Sequence, residues 1–84
     1  MPKYYFHLKD GHTELDEDGT ELADLKAARR EAVKFSGEVL REGPGDSLWM
    51  GEPWRLWVTD QPNGAGTTLF TLNFSAEVGS GKPD

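Results

Sequence analysis

Lys3-Tyr4-Tyr5-Phe6-His7-Leu8-Lys9-Asp10-Gly11 is the stretch whose reading decides the fold. Side chains alternate along it. Tyr4, Phe6 and Leu8 point one way, and Tyr5, His7 and Lys9 the other. Period two with aromatic residues predicts a strand over Lys3–Lys9. Asp10-Gly11 then supplies turn chemistry, because glycine tolerates positive φ and aspartate bonds its own backbone. Residues 13–16 return as the second strand of a hairpin. Leu15 is the only large apolar residue there, which predicts a partly exposed edge.

Glu17-Asp18-Gly19 breaks the pattern, and the period changes after it. Asp24 is a good N-cap, since its carboxylate can accept from the first free backbone N–H groups of a helix. Leu25, Ala28, Ala32, Phe35 and Val39 recur at spacings of three and four and share one helical face. Lys26, Arg29, Arg30, Lys34, Glu38 and Arg41 lie mostly away from it. Gly37 weakens the helix by roughly 1 kcal/mol relative to alanine. Gly43-Pro44-Gly45 is the expected stop, because proline cannot continue the ladder. Residues 46–53 read as a loop carrying Leu48, Trp49 and Met50.

Alternation resumes over 54–60, with Trp54, Leu56 and Val58 on one face and Arg55, Trp57 and Thr59 on the other. Pro62 and Asn63-Gly64 mark a hairpin connection. The last strand, 67–74, places Phe70, Leu72 and Phe74 on one face and Leu69, Thr71 and Asn73 on the other. The order β-β-α-β-β predicts an α+β fold, a single antiparallel sheet with one helix packed on one face. Tyr4, Phe6, Leu8, Leu56, Val58, Phe70 and Leu72 form its expected core with the helix stripe. Residues 1–76 read as one domain and 77–84 as a flexible polar tail.

Composition narrows function. The chain has 84 residues, so its core is thin and binding at a surface or groove is the better expectation than chemistry in an enclosed pocket. There is no cysteine, which excludes disulfides, thiolate metal sites and a cysteine nucleophile, and fits a cytoplasmic location. No apolar run is long enough to span a bilayer, and no secretory signal is visible, so no membrane association is expected. A formal net charge of −6 disfavours nucleic acid and anionic membrane surfaces, because phosphate neutralisation needs a basic patch.

Several motifs together resemble a bacterial family of unknown function, DUF6894. They are Tyr5-Phe6-His7-Leu8-x-Asp10-Gly11, Asp16-Glu17-Asp18-Gly19-x-Glu21-Leu22-x-Asp24-Leu25, Trp54-Arg55-x-x-Val58-Thr59-Asp60, and Leu69-Phe70-Thr71-Leu72-x-Phe74-Ser75-Ala76. The resemblance runs from about residue 2 to residue 76. It implies no activity, substrate or cofactor. A more distant likeness, to the small sheet-and-helix domain of HicB-type antitoxins, is a likeness of fold alone.

Four features could carry chemistry. Glu14, Asp16, Glu17, Asp18 and Glu21 crowd round Gly19, but an EF-hand register starting at Glu14 puts Leu25 where a bidentate carboxylate is required. The run reads as a solvated acidic turn before a helix N-terminus, and no metal site or cofactor is expected. His7 could pair with Asp10 or Glu14 for acid–base work, and His12 lies in the first turn. Ser36, Ser47, Ser75 and Ser80 sit in no nucleophile elbow, so no catalytic residue is assigned. Gly43-Pro44-Gly45 lacks the Gly-Lys-Ser/Thr of a phosphate loop.

The fourth feature is the sheet face away from the helix, which should present Tyr5, His7, Arg55, Trp57 and Leu69 with Lys9, Thr71 and Asn73. Such a patch marks an interaction site. A homodimer or a protein partner is the first reading, with Tyr5, His7, Arg55, Trp57 and Leu69 as binding residues. Covering by Trp49, Met50 or the tail is second, and stacking of single-stranded bases by an antitoxin-like regulator is third. A small metal-dependent or acid–base enzyme, built from His7, Asp10 and the carboxylates of Glu14, Asp16, Glu17 and Asp18, is the alternative from another class.

Overall fold

The computed structural model describes residues 2–42, 48–77 and 79. Along the chain run β1 (Lys3–Lys9), β2 (Thr13–Glu14), β3 (Thr20–Glu21), α1 (Leu25–Glu42), β4 (Trp54–Thr59) and β5 (Thr68–Phe74). All pairings are antiparallel. The sheet order is β2-β1-β4-β5, and β3 also pairs with β1. This is the expected α+β fold, with one α-helix and one open sheet among the described residues. The expected helix stop at Gly43-Pro44-Gly45, and the expected flexible tail apart from Glu77 and Gly79, lie outside the described residues.

The first hairpin differs from expectation. Only Thr13 and Glu14 pair with β1, opposite Lys9 and Leu8. Leu15 and Asp16 leave the ladder, and a further short strand brings Thr20 and Glu21 opposite Tyr4 and Lys3. The gap between these two flanking strands falls at Phe6. There the Asp16 carboxylate takes the place of a strand, accepting the Phe6 N–H on Oδ2 at 3.1 Å.

The helix starts as its cap residue dictates. Asp24 Oδ1 accepts the Ala27 N–H at 2.9 Å, and the Asp24 carbonyl accepts the Ala28 N–H. Ala28 and Ala32 are fully buried against the sheet, where small side chains allow close approach, and Leu25, Phe35 and Val39 are half-buried beside them. Lys26, Arg29, Arg30 and Lys34 are exposed.

Tyr4, Leu8, Trp54, Leu56 and Val58 are buried on the helix-bearing face, and β1 and β4 align them by pairing Phe6 with Val58 and Leu8 with Leu56. Burying side chains of this size stabilises the fold by about 1.5–3 kcal/mol each. Phe70, Leu72 and Phe74 on the outer strand β5 are only half-buried.

The connection from β4 to β5 carries the Asn-Gly turn expected of it. Asn63 (φ 58°) and Gly64 (φ 78°) both take positive φ, and the Pro62 carbonyl accepts the Ala65 N–H at 3.1 Å. A register shift follows between Val58 and Thr59. Thr59 pairs with Thr68 while Val58 pairs with Phe70, so Leu69 is the extra residue of a β-bulge.

Candidate functional site

The second sheet face is only partly open. Among the residues expected to be exposed there, His7 has no exposed surface at all. The cover does not come from Trp49 or Met50, which are themselves exposed. It comes from the segment that left the first hairpin and from the turn at Pro62–Gly64. The Asn63 N–H donates to the Asp16 carbonyl at 2.9 Å, tying these two pieces together. A Cβ on Gly19 would lie 2.7 Å from the Tyr5 ring, so the bare backbone at Gly19 packs on that ring.

Asp16 holds this cover down. Its Oδ2 accepts from Phe6, and its Oδ1 accepts the N–H groups of Asp18 and Gly19, each at 3.1 Å. Its own N–H donates to His7 Nδ1 at 3.0 Å. A backbone N–H can only donate, so Nδ1 is the bare nitrogen and the ring proton sits on Nε2. Nε2 lies 2.8 Å from Thr59 Oγ1, which therefore accepts from it, and the Thr59 hydroxyl donates onward to the Gln61 carbonyl at 2.6 Å. Burial lowers the His7 pKa below its usual value, outweighing the opposing pull of the Asp16 carboxylate.

This geometry changes the reading of the site. Both ring nitrogens of His7 are engaged, and neither hydrogen-bonds to a side-chain acid. The pairing with Asp10 or Glu14 that acid–base catalysis would need is replaced by a backbone N–H and a threonine hydroxyl. Among the described residues no three His, Asp or Glu side chains gather so as to hold a metal ion. The Asp16 carboxylate is committed to three N–H groups.

Of the five residues expected to bind, the structure brings three together. Tyr5 is half-buried under Gly19. His7 is buried, and the half-buried Trp57 ring lies 5.3 Å from it, tilted by 42°. Arg55 is exposed two residues further along β4, opposite Lys9 on one side and Asn73 on the other. Leu69 departs from the open face: the bulge shifts it, and it packs against the buried core. Sequence reasoning missed Thr59, Gln61 and the role of Asp16. Asp16-x-Asp18-Gly19 is an aspartate-turn pattern, which was the one available signal. The uncovered part of the face thus runs from Arg55 and Trp57 to Thr71 and Asn73.

A profile described as Domain of unknown function (DUF6894) matches residues 3–75. The chain belongs to the DUF6894 family. No curated protein and no solved structure matches it. Within this DUF6894 domain, the motifs that carry the resemblance include His7, Asp16, Gly19 and Thr59, which are the residues that build the buried network. Among the described residues no helix is long and apolar enough to cross a membrane.

Proposed function

We propose that this DUF6894 domain is a non-enzymatic interaction module that self-associates through β5 and the uncovered part of the second sheet face. The observation that carries this reading is the state of β5. It is the terminal strand of the sheet, and no strand among the described residues pairs with its outer side. Its seven residues, Thr-Leu-Phe-Thr-Leu-Asn-Phe, include no charge and no proline. Edge strands of monomeric proteins usually carry such residues to prevent sheet extension. Phe70, Leu72 and Phe74 are half-buried, whereas their neighbours Val58, Leu56 and Trp54 across the ladder are buried.

Antiparallel pairing of β5 with a second β5 about a twofold axis at Thr71 would satisfy these features together. It sets Phe70 beside the partner's Leu72 on the helix-bearing face and Thr71 beside the partner's Thr71 on the other. Trp57, directly opposite Thr71 on β4, then lies close to the seam.

Light scattering across a concentration series tests the reading. The expected result is a dimer whose population rises with concentration. Thr71→Lys, which sets two like charges opposite one another, should give a monomer with an unchanged circular dichroism spectrum. Mixing Thr71→Lys with Thr71→Glu chains should restore association. A wild-type monomer throughout, or a dimer indifferent to Thr71→Lys, would overturn the proposal.

A further inference from the structure

A groove of about 930 Å³ runs between α1 and the opposite edge of the sheet, where β1 meets β2. Phe6, Leu8, Phe35, Val39 and Trp54 give it apolar lining. Asp10, Glu14, Glu31, Glu38 and Glu42 supply carboxylates from its two walls: Asp10 and Glu14 from the hairpin, the three glutamates from α1. Glu31, Phe35, Glu38 and Glu42 recur at helical spacing, so one face of α1 presents both the acids and an apolar anchor. No lysine or arginine lines the groove among the described residues. Asp10 Oδ1 is shielded from water and has no hydrogen-bond partner.

Two properties are combined here. Carboxylates on facing walls of a partly apolar groove, with no lysine or arginine between them among the described residues, give it a negative potential. The apolar lining rewards a ligand that also brings hydrocarbon. A bare metal ion would use only the first property, and the carboxylates are spread along two walls rather than gathered round a point. From Glu31 to Glu42 the helix wall spans about 16 Å at 1.5 Å per residue. An extended peptide covers that distance in about five residues.

We propose that this groove docks a short extended segment of another protein in which lysine or arginine alternates with apolar residues. The alternation follows from strand geometry, which sends successive side chains to opposite sides. One set enters the apolar lining and the other meets the acidic rim. The site lies at the β2 edge, across the sheet from β5, so it is independent of self-association through that strand.

Calorimetric titration with three synthetic hexapeptides, alternating Lys/Leu, Lys/Ser and Glu/Leu, tests the proposal. The Lys/Leu peptide is expected to bind, and to weaken about tenfold or more when salt is raised from about 0.05 to 0.5 M. The Glu31→Gln/Glu38→Gln chain should bind it about tenfold more weakly, with Glu42→Gln, at an exposed position, as a second variant should the first fail to fold. Thr71→Lys should bind it as wild type does, which separates this site from the β5 edge. Absence of Lys/Leu binding, or equal binding of Glu/Leu, overturns the proposal. So does equal binding of Lys/Ser, which would make the groove a simple cation site, and so does indifference to loss of the glutamate charges.

Discussion

The Asp16 N–H donates to His7 Nδ1 at 3.0 Å, and that single bond fixes the protonation of a fully buried imidazole. A proton added at Nδ1 would meet another donor head-on. The Nε2–H is committed to Thr59 Oγ1 on the neighbouring strand, so the ring cannot turn over without losing both partners.

The stability of the domain should therefore depend on pH through His7. Its folded pKa is held below 6.5, while the unfolded chain releases an ordinary imidazole. Between those two values the unfolded state binds more protons than the folded one. The contribution is whole above pH 6.5 and declines as the pH falls below it toward the lowered folded value. Urea unfolding between about pH 7.5 and 5.5 should show wild type losing stability and His7→Gln, weaker throughout, losing much less over that window. Equal slopes for the two chains would refute this account.

Asp16→Ala should destabilise the fold by about 2–4 kcal/mol. It leaves the Phe6 N–H without its acceptor at the gap between β2 and β3, and frees the N–H groups of Asp18 and Gly19. Asp16→Asn keeps one acceptor oxygen and should recover part of the loss. Denaturant midpoints measure both, and an Asp16→Ala chain as stable as wild type would mean that the carboxylate hub contributes nothing.

Two glycine-to-alanine substitutions should act in opposite directions. Gly19 has φ +73° and would drive a Cβ into the Tyr5 ring, so Gly19→Ala should cost at least about 1–2 kcal/mol. Gly37 lies in the interior of α1 with nothing within 4 Å of its Cβ position, so Gly37→Ala should stabilise by up to about 1 kcal/mol. Thermal melts of the two variants read the signs directly.

Much of the architecture is legible in local sequence. The strand alternation at Tyr4, Phe6 and Leu8, the cap at Asp24, the Ala28 and Ala32 stripe and the turn at Asn63-Gly64 are local properties. Each depends on residues a few positions apart, so periodicity and turn chemistry suffice. The return strand expected over 13–16 was only half right. Its outcome turned on whether the Phe6 N–H met a backbone carbonyl or the Asp16 carboxylate, and both are chemically acceptable partners.

The candidate sites divide the same way. Where the strands are regular, sequence alone determined which face a residue occupies, and it placed Tyr5, His7, Arg55 and Trp57 on one side of the sheet. Leu69 escaped because a bulge adds a residue that period-two counting cannot see. Whether that side met water was decided only by tertiary structure. Burial of His7 required Asp16, nine residues away, and Thr59, fifty-two residues away, to arrive at the same ring. The acidic groove likewise joins Asp10 and Glu14 to Glu31, Glu38 and Glu42 only when α1 lies across the sheet edge. Alternation and helical period are written into neighbouring residues, whereas enclosure and charge focusing exist only once distant segments share a surface.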